Sequence, residues 1–210
     1  SHQLRKGFAE SLALLGCFPT VLINCSLNKV ESIAILTVRE IFNDADWILW
    51  ASLNDLLPLI GEAAPDEFLK AVENALQKTP CPFDNIFAQE GNGVTGSNYL
   101  TGLLWALETL AWEEDFLARV STILGELAVH DPGGTWANCP SNSLSTILLP
   151  WKPQTIATID KRKVTIQILE KELPDVAWKL LLSLLPNQHQ ISIGSHKPTW
   201  RESIPKKWTG

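Results

Sequence analysis

Methionine is absent from the 210 residues and tyrosine occurs once. The first absence is unusual at this length. Ser1-His2 resembles the remnant of a cleaved tag, so the expectation is an excised piece of a longer protein. No apolar run approaches the roughly 20 residues of a membrane span; Leu180-Leu181-Leu182-Ser183-Leu184-Leu185 stops at Pro186. No secretory pattern opens the chain, so the expectation is a cytoplasmic protein with no membrane partner. Cys17, Cys25, Cys81 and Cys139 form no CxxC pair, which argues against a disulfide framework. Positive charge is scarce: 17 Lys and Arg stand against 23 Asp and Glu, a net −6. That balance excludes a surface built for nucleic acid or anionic lipid.

Catalytic signatures are missing too. Gly91-Asn92-Gly93-Val94-Thr95-Gly96 lacks the GK[ST] ending of a phosphate-binding loop and has no strand before it, so it reads as a connector. Cys139, His130, His189 and His196 lack the close pairs of a zinc site. Ser141 and Cys139 have no identifiable base. His130-Asp131 invites comparison with helical HD phosphohydrolases, but the only earlier histidine is His2. The sequence therefore predicts no catalytic residue, no cofactor and no metal.

What is present is helical periodicity in a chain that is 45% apolar, enough for one core or one continuous stack. Apolar residues at helical spacing predict helices over 5–17, with Leu4, Phe8, Leu12 and Leu15 on one face, and over 47–62, with a kink or break at Pro58. Asn28 and Glu31 form a capping-box pattern ahead of Val30 to Ile41. Pro65 opens a helix with Asp66 and Glu67 against its dipole. A loop is expected over 78–96, then helices over 99–112, an acid-led one after Glu113-Glu114-Asp115, 161–173 and 176–185. Val164, Ile166 and Ile168 alternate as in a short strand, but Glu170-Lys171-Glu172 favours helix.

The joints recur. An apolar stripe ends and Pro or an acid restarts the chain at positions 19, 65, 113 and 174, with a period in the mid-forties before the last, longer interval. That is the period of two-helix repeats, so the fold expected is all-α: stacked helical pairs of HEAT or armadillo type, the alternative being an irregular helical bundle. The helical domain spans 1–186, and an extended C-terminal tail spans 187–210. An ordered Pro/Gly/Trp loop over 131–155 interrupts the repeat and carries a short helix over 143–149.

Nine tryptophans punctuate the chain. Trp105, Trp112 and Trp178 fall on or near apolar stripes and read as core. Trp136, Trp151 and Trp200 fall in irregular segments, where they dock their own segment or anchor a partner. The candidate partner-binding residues are thus Trp136, Asn138, Trp151, Trp200 and Arg201. An alternative polar site at the loop comprises His130, Asp131 and Asn138.

Three blocks carry a family resemblance: Asp131-Pro132-Gly133-Gly134-Thr135-Trp136-Ala137-Asn138; Leu149-Pro150-Trp151-Lys152-Pro153-Gln154-Thr155; and Leu185-Pro186-Asn187-Gln188-His189-Gln190 with His196-Lys197-Pro198-Thr199-Trp200-Arg201. They resemble segments of very large bacterial proteins related to predicted STAND NTPases, over the last third to half of the chain. The resemblance implies a helical-repeat sensor segment whose neighbours are other domains of the parent chain. Neither Walker motif is present, so no ATPase residue is implied. The function expected is a non-catalytic interaction or sensor module binding a protein or peptide through its concave face and Trp-bearing loop. The alternative is a helical enzyme or small-ligand domain with its site over 130–155.

Overall fold

The computed structural model describes residues 2–88, 99–133, 136–186, 192, 194–205 and 208. Among these, every regular element is helical, as expected. The helices are α1 (His2–Cys17), α2 (Leu27–Phe42), α3 (Trp47–Ser52), α4 (Leu57–Ala63), α5 (Pro65–Leu76), α6 (Pro82–Ala88), α7 (Thr101–Ala111), α8 (Leu117–His130), α9 (Pro140–Leu148), α10 (Ile159–Glu172) and α11 (Pro174–Ser183). Two 3-10 turns, Pro19–Val21 and Asn54–Leu56, join them. None of the helices is long and apolar enough to cross a membrane, among the described residues.

Proline sets several boundaries. Pro65, Pro140 and Pro174 each open a helix, where the missing N–H costs nothing because no carbonyl of the preceding turn awaits it. Pro58 acts the same way inside what the pattern reads as one helix over 47–62. The chain breaks into α3, a 3-10 turn and α4. Val164, Ile166 and Ile168 lie in α10, so the alternation does not form a strand. Other boundaries differ from the expectation. The stretch 78–96 contains α6, because Phe83, Ile86 and Phe87 share one face and are buried despite the flanking Pro and Gly. Asn28 lies inside α2; Ser26 precedes that helix and makes no side-chain cap. The chain turns through 113–116 before α8 begins at Leu117, and α9 starts at Pro140, ahead of Ser143. The expected caps at Ser97 or Asn98 lie outside the described residues.

Packing follows two rows. In the first, α4 lies between α1 and α7; in the second, α5 lies between α2 and α8, and α8 also meets α10. The rows touch through α1–α2, α4–α5 and α7–α8. A helix with neighbours on all sides needs no polar face, and α4 is the clearest case: Leu57, Pro58, Ile60, Gly61, Glu62 and Ala63 are all buried. Close approach between α1 and the end of α4 depends on Gly16, where a Cβ would overlap the Ala63 carbonyl oxygen. Gly102 plays the same part where α7 meets Asn54, whose side-chain oxygen accepts from the Gly102 N–H at 2.7 Å. Phe42, Trp50, Phe68 and Phe83 interlock, with Phe42 stacked on Trp50 at 4.3 Å.

The acids at the joints do more than complement helix dipoles. Arg39 of α2 pairs with Glu67, Arg119 of α8 with Asp66 and Glu73, and Lys161 of α10 with Glu114 and Asp115. The first two tie a helix of the second row to the next, and the third ties α10 to the turn that leads into α8. Some apolar stripe positions face outward. Leu4 and Phe8 of α1 are 61% and 68% exposed, as are Trp105 (41%) and Trp178 (64%), whereas Trp112 is buried. Trp105 and Trp178 are thus not core residues: the face each occupies has no helix packed over it.

Candidate functional site

Glu62 is the one charged residue of α4, and it is 1% exposed. A buried carboxylate is tolerated only where donors replace water. Here they are main-chain N–H groups of the C-terminal segment. Thr199 donates to both carboxylate oxygens, at 3.0 and 3.1 Å; Trp200 and Arg201 donate to Oε2 at 2.7 and 2.8 Å. Three successive amides therefore converge on one side chain. The Arg201 guanidinium reaches Glu113 through Nε and Nη2, and the Glu62 carbonyl at 3.2 Å. Ser203 Oγ adds a bond to Glu113 at 2.8 Å.

The segment is held further along by α7. The His196 N–H donates to Glu108 at 2.7 Å, and the His196 carbonyl accepts from the Trp112 indole at 3.0 Å. The His196 ring stacks on Trp105 with centroids 5.3 Å apart, and its Nδ1 lies 3.0 Å from Thr109 Oγ1. Trp105 thus supports the tail with its exposed face. Lys197 Nζ stands 5.4 Å from the Trp112 ring, and Trp208 meets the same ring edge-on. Gln154, buried in the 131–155 loop, accepts from Ser195 N–H at 3.2 Å, and Lys152 donates to the Ser192 carbonyl. The loop and the tail thus build one surface together.

A recess opens on either side. One, of about 540 Å³, is lined by Cys17, Glu113, Trp200, Arg201, Glu202 and Ser203 among others. Burial pushes the Cys17 thiol up to about 11, with the nearby Arg201 charge opposing. Its S–H donates to the Glu62 carbonyl. The second recess, of about 480 Å³, includes Trp105, Glu108, Asn138, Asn142, Ser143 and His196. Ser143 Oγ donates to Glu108 at 2.6 Å, so that carboxylate links α9, α7 and the tail.

The residues singled out by the sequence are thereby distributed. Trp200 and Arg201 lie in the tail at the first recess, and Asn138 lines the second. Trp136 is half-buried and Trp151 is 53% exposed; neither lines either recess. His130 and Asp131 also lie outside both recesses. The His130 Nδ1 pairs with Asp84 Oδ1 at 2.6 Å, and Asp131 Oδ1 accepts from the Gly133 N–H at the end of α8. The three residues of the alternative polar site thus serve separate surroundings. Sequence reasoning missed Glu62, Glu108 and Glu113. The one signal available was Glu62, a lone acid in the apolar stretch Leu57-Pro58-Leu59-Ile60-Gly61-Glu62-Ala63-Ala64.

Comparison with protein-family models, with curated proteins and with solved structures gives no match to this chain.

Proposed function

We propose that this chain is a non-catalytic interaction module whose α4–α7 face binds an extended, basic stretch of polypeptide, the place now taken by its own residues 194–205. The observation that carries the proposal is the reception of three consecutive main-chain N–H groups by Glu62, with Arg201 forked onto Glu113. Main-chain donors occur in every peptide, so Glu62 supplies affinity for an extended backbone. Glu108 receives a further main-chain N–H, while Glu113 and the rings of Trp105 and Trp112 select Arg, His and Lys side chains. The two rows of helices support a HEAT-like stack of pairs, a scaffold suited to presenting such a face. The resemblance to helical segments beside STAND ATPase modules fits a sensor or docking role within a larger cytoplasmic chain.

The test is displacement in trans. A fluorescent peptide with the sequence of residues 192–205 is titrated into the intact chain and into Arg201→Ala, with anisotropy as the readout. The resident tail competes at millimolar effective concentration, so the intact chain binds weakly. Arg201→Ala, whose own tail is loosened, binds at least tenfold tighter, and adding Glu113→Gln removes the gain. Equal, negligible binding by all three proteins would show that the segment is a fixed part of the fold rather than a ligand of it.

A further inference from the structure

Cys81, Asp84 and His130 meet at one corner of the molecule, away from the tail. Cys81 directly precedes α6 and is 3% exposed. Asp84 lies three residues later, and His130 is the last residue of α8. The packing of α6 on α8 closes the gap between them. The Cys81 sulfur, an Asp84 carboxylate oxygen and a His130 ring nitrogen all lie within 4.8 Å of one another.

Two of the three are explained without a ligand. His130 at the C-terminus of α8 and Asp84 form a pair that satisfies both side chains. The sulfur is not explained this way. It sits buried immediately before α6, a capping position that Ser, Thr, Asp or Asn serves far better. A thiol at that position, with an imidazole and a carboxylate facing it, makes a mixed set of soft, borderline and hard donors, which zinc accepts together. We propose that Cys81, Asp84 and His130 bind a divalent transition metal ion of the zinc class, with a fourth position open to water.

The chemistry of the set fits that ion. Zinc accepts thiolate at about 2.3 Å, and imidazole nitrogen and carboxylate oxygen at about 2.0–2.2 Å, in a tetrahedron. In such a shell the nitrogen and oxygen donors sit roughly 3.3 Å apart. Metal entry therefore replaces the 2.6 Å hydrogen bond between His130 and Asp84 and parts the two atoms by less than an ångström. It also releases the Cys81 thiol proton to solvent, the thiolate becoming the ligand, and the proton that Nδ1 shares with Asp84 leaves that nitrogen, to solvent or in exchange for one on Nε2. Cys81 and Asp84 come from one turn of chain, the way a C-x-x-C pair chelates, and His130 supplies the remote ligand. Glu126 lies one turn earlier on α8, on the same side of the helix as His130. The bound ion would clip α6 to the end of α8, where the 131–155 loop departs.

The test uses the reduced full chain and cobalt(II) as a spectroscopic stand-in for zinc. One equivalent is expected to give a thiolate-to-cobalt charge-transfer band with the visible absorption of a tetrahedral site, both bleached by zinc. Cys81→Ser and His130→Gln each abolish the band, whereas Cys25→Ser keeps it. His130 is half-exposed at a helix end, so its replacement reports on the ligand even where Cys81→Ser disturbs the fold. A reduced chain that shows no charge-transfer band, or a band that survives Cys81→Ser or His130→Gln, would overturn the assignment.

Discussion

Replacing Glu62 by Gln changes little in shape and much in bonding. The carboxylate accepts from Thr199, Trp200 and Arg201 at 2.7–3.1 Å. Glutamine keeps one oxygen, which still receives Trp200 and Arg201, but without the charge. The step from a charge-assisted to a neutral hydrogen bond costs about 1 kcal/mol for each of these two. The Thr199 N–H keeps its 3.1 Å bond to that oxygen, but the new amide NH2 opposes it, donor against donor, and is itself buried at a site that is 1% exposed. Leaving that buried donor unmet adds about 1–3 kcal/mol. The tail clamp is thus weakened by roughly 3–5 kcal/mol, and at 1.4 kcal/mol per decade it opens about 10² to 4 × 10³ times more often. Hydrogen exchange at the amides of Thr199, Trp200 and Arg201 reads this directly. The expected result is a hundredfold or greater acceleration there, with the amides of α4 and α7 little changed. Unaltered exchange at the three amides would refute the role given to Glu62. Equal acceleration throughout α4 and α7 would refute the separability of tail and core.

Two further outcomes follow from single positions. Gly16→Ala drives a methyl into the Ala63 main-chain carbonyl, which has no rotamer to escape into; such overpacking costs about 1–3 kcal/mol and lowers Tm by about 2–12 °C in a chain of this size. Gly7→Ala on the same helix meets nothing and gains helix propensity of about 0.5–1 kcal/mol, so thermal melts that shift the two variants alike would contradict the packing described. Burial holds Cys17 protonated up to about 11 against an ordinary thiol value of 9.0. The unfolded chain therefore loses that proton first, and the Cys17 contribution to stability is full below pH 9 and falls between about pH 9 and 11. Alkylation at pH 8 should modify the exposed Cys25 well before Cys17; comparable rates at the two would mean the Cys17 pocket is open.

The sequence by itself determined the helices and most of their starts. Apolar spacing near 3.6 and the prolines at 65 and 174 act over one or two turns, so they are visible in a linear string. The recurring joints marked where the chain restarts as a helix at Pro65 and Pro174. Periodicity states only that a face is apolar. It does not state which neighbour covers it, and so Phe8, Trp105 and Trp178 were legible as stripe residues but not as exposed ones. Helix α6 was hidden by its flanking Pro and Gly, because its seven residues are shorter than the window that reveals a period.

Tertiary structure alone decided the rest. Glu62, Glu108 and Glu113 looked like ordinary helix acids. Their importance comes from amides and a guanidinium that lie 88 to 139 residues away along the chain and reach them only after folding brings the tail onto α4 and α7. Cys81 and His130 likewise share no local pattern, and meet because α6 packs on α8. A carboxylate, a thiol or an imidazole acquires its role from the donors and charges within a few ångströms, and that distance is set by packing between remote segments rather than by spacing along the chain.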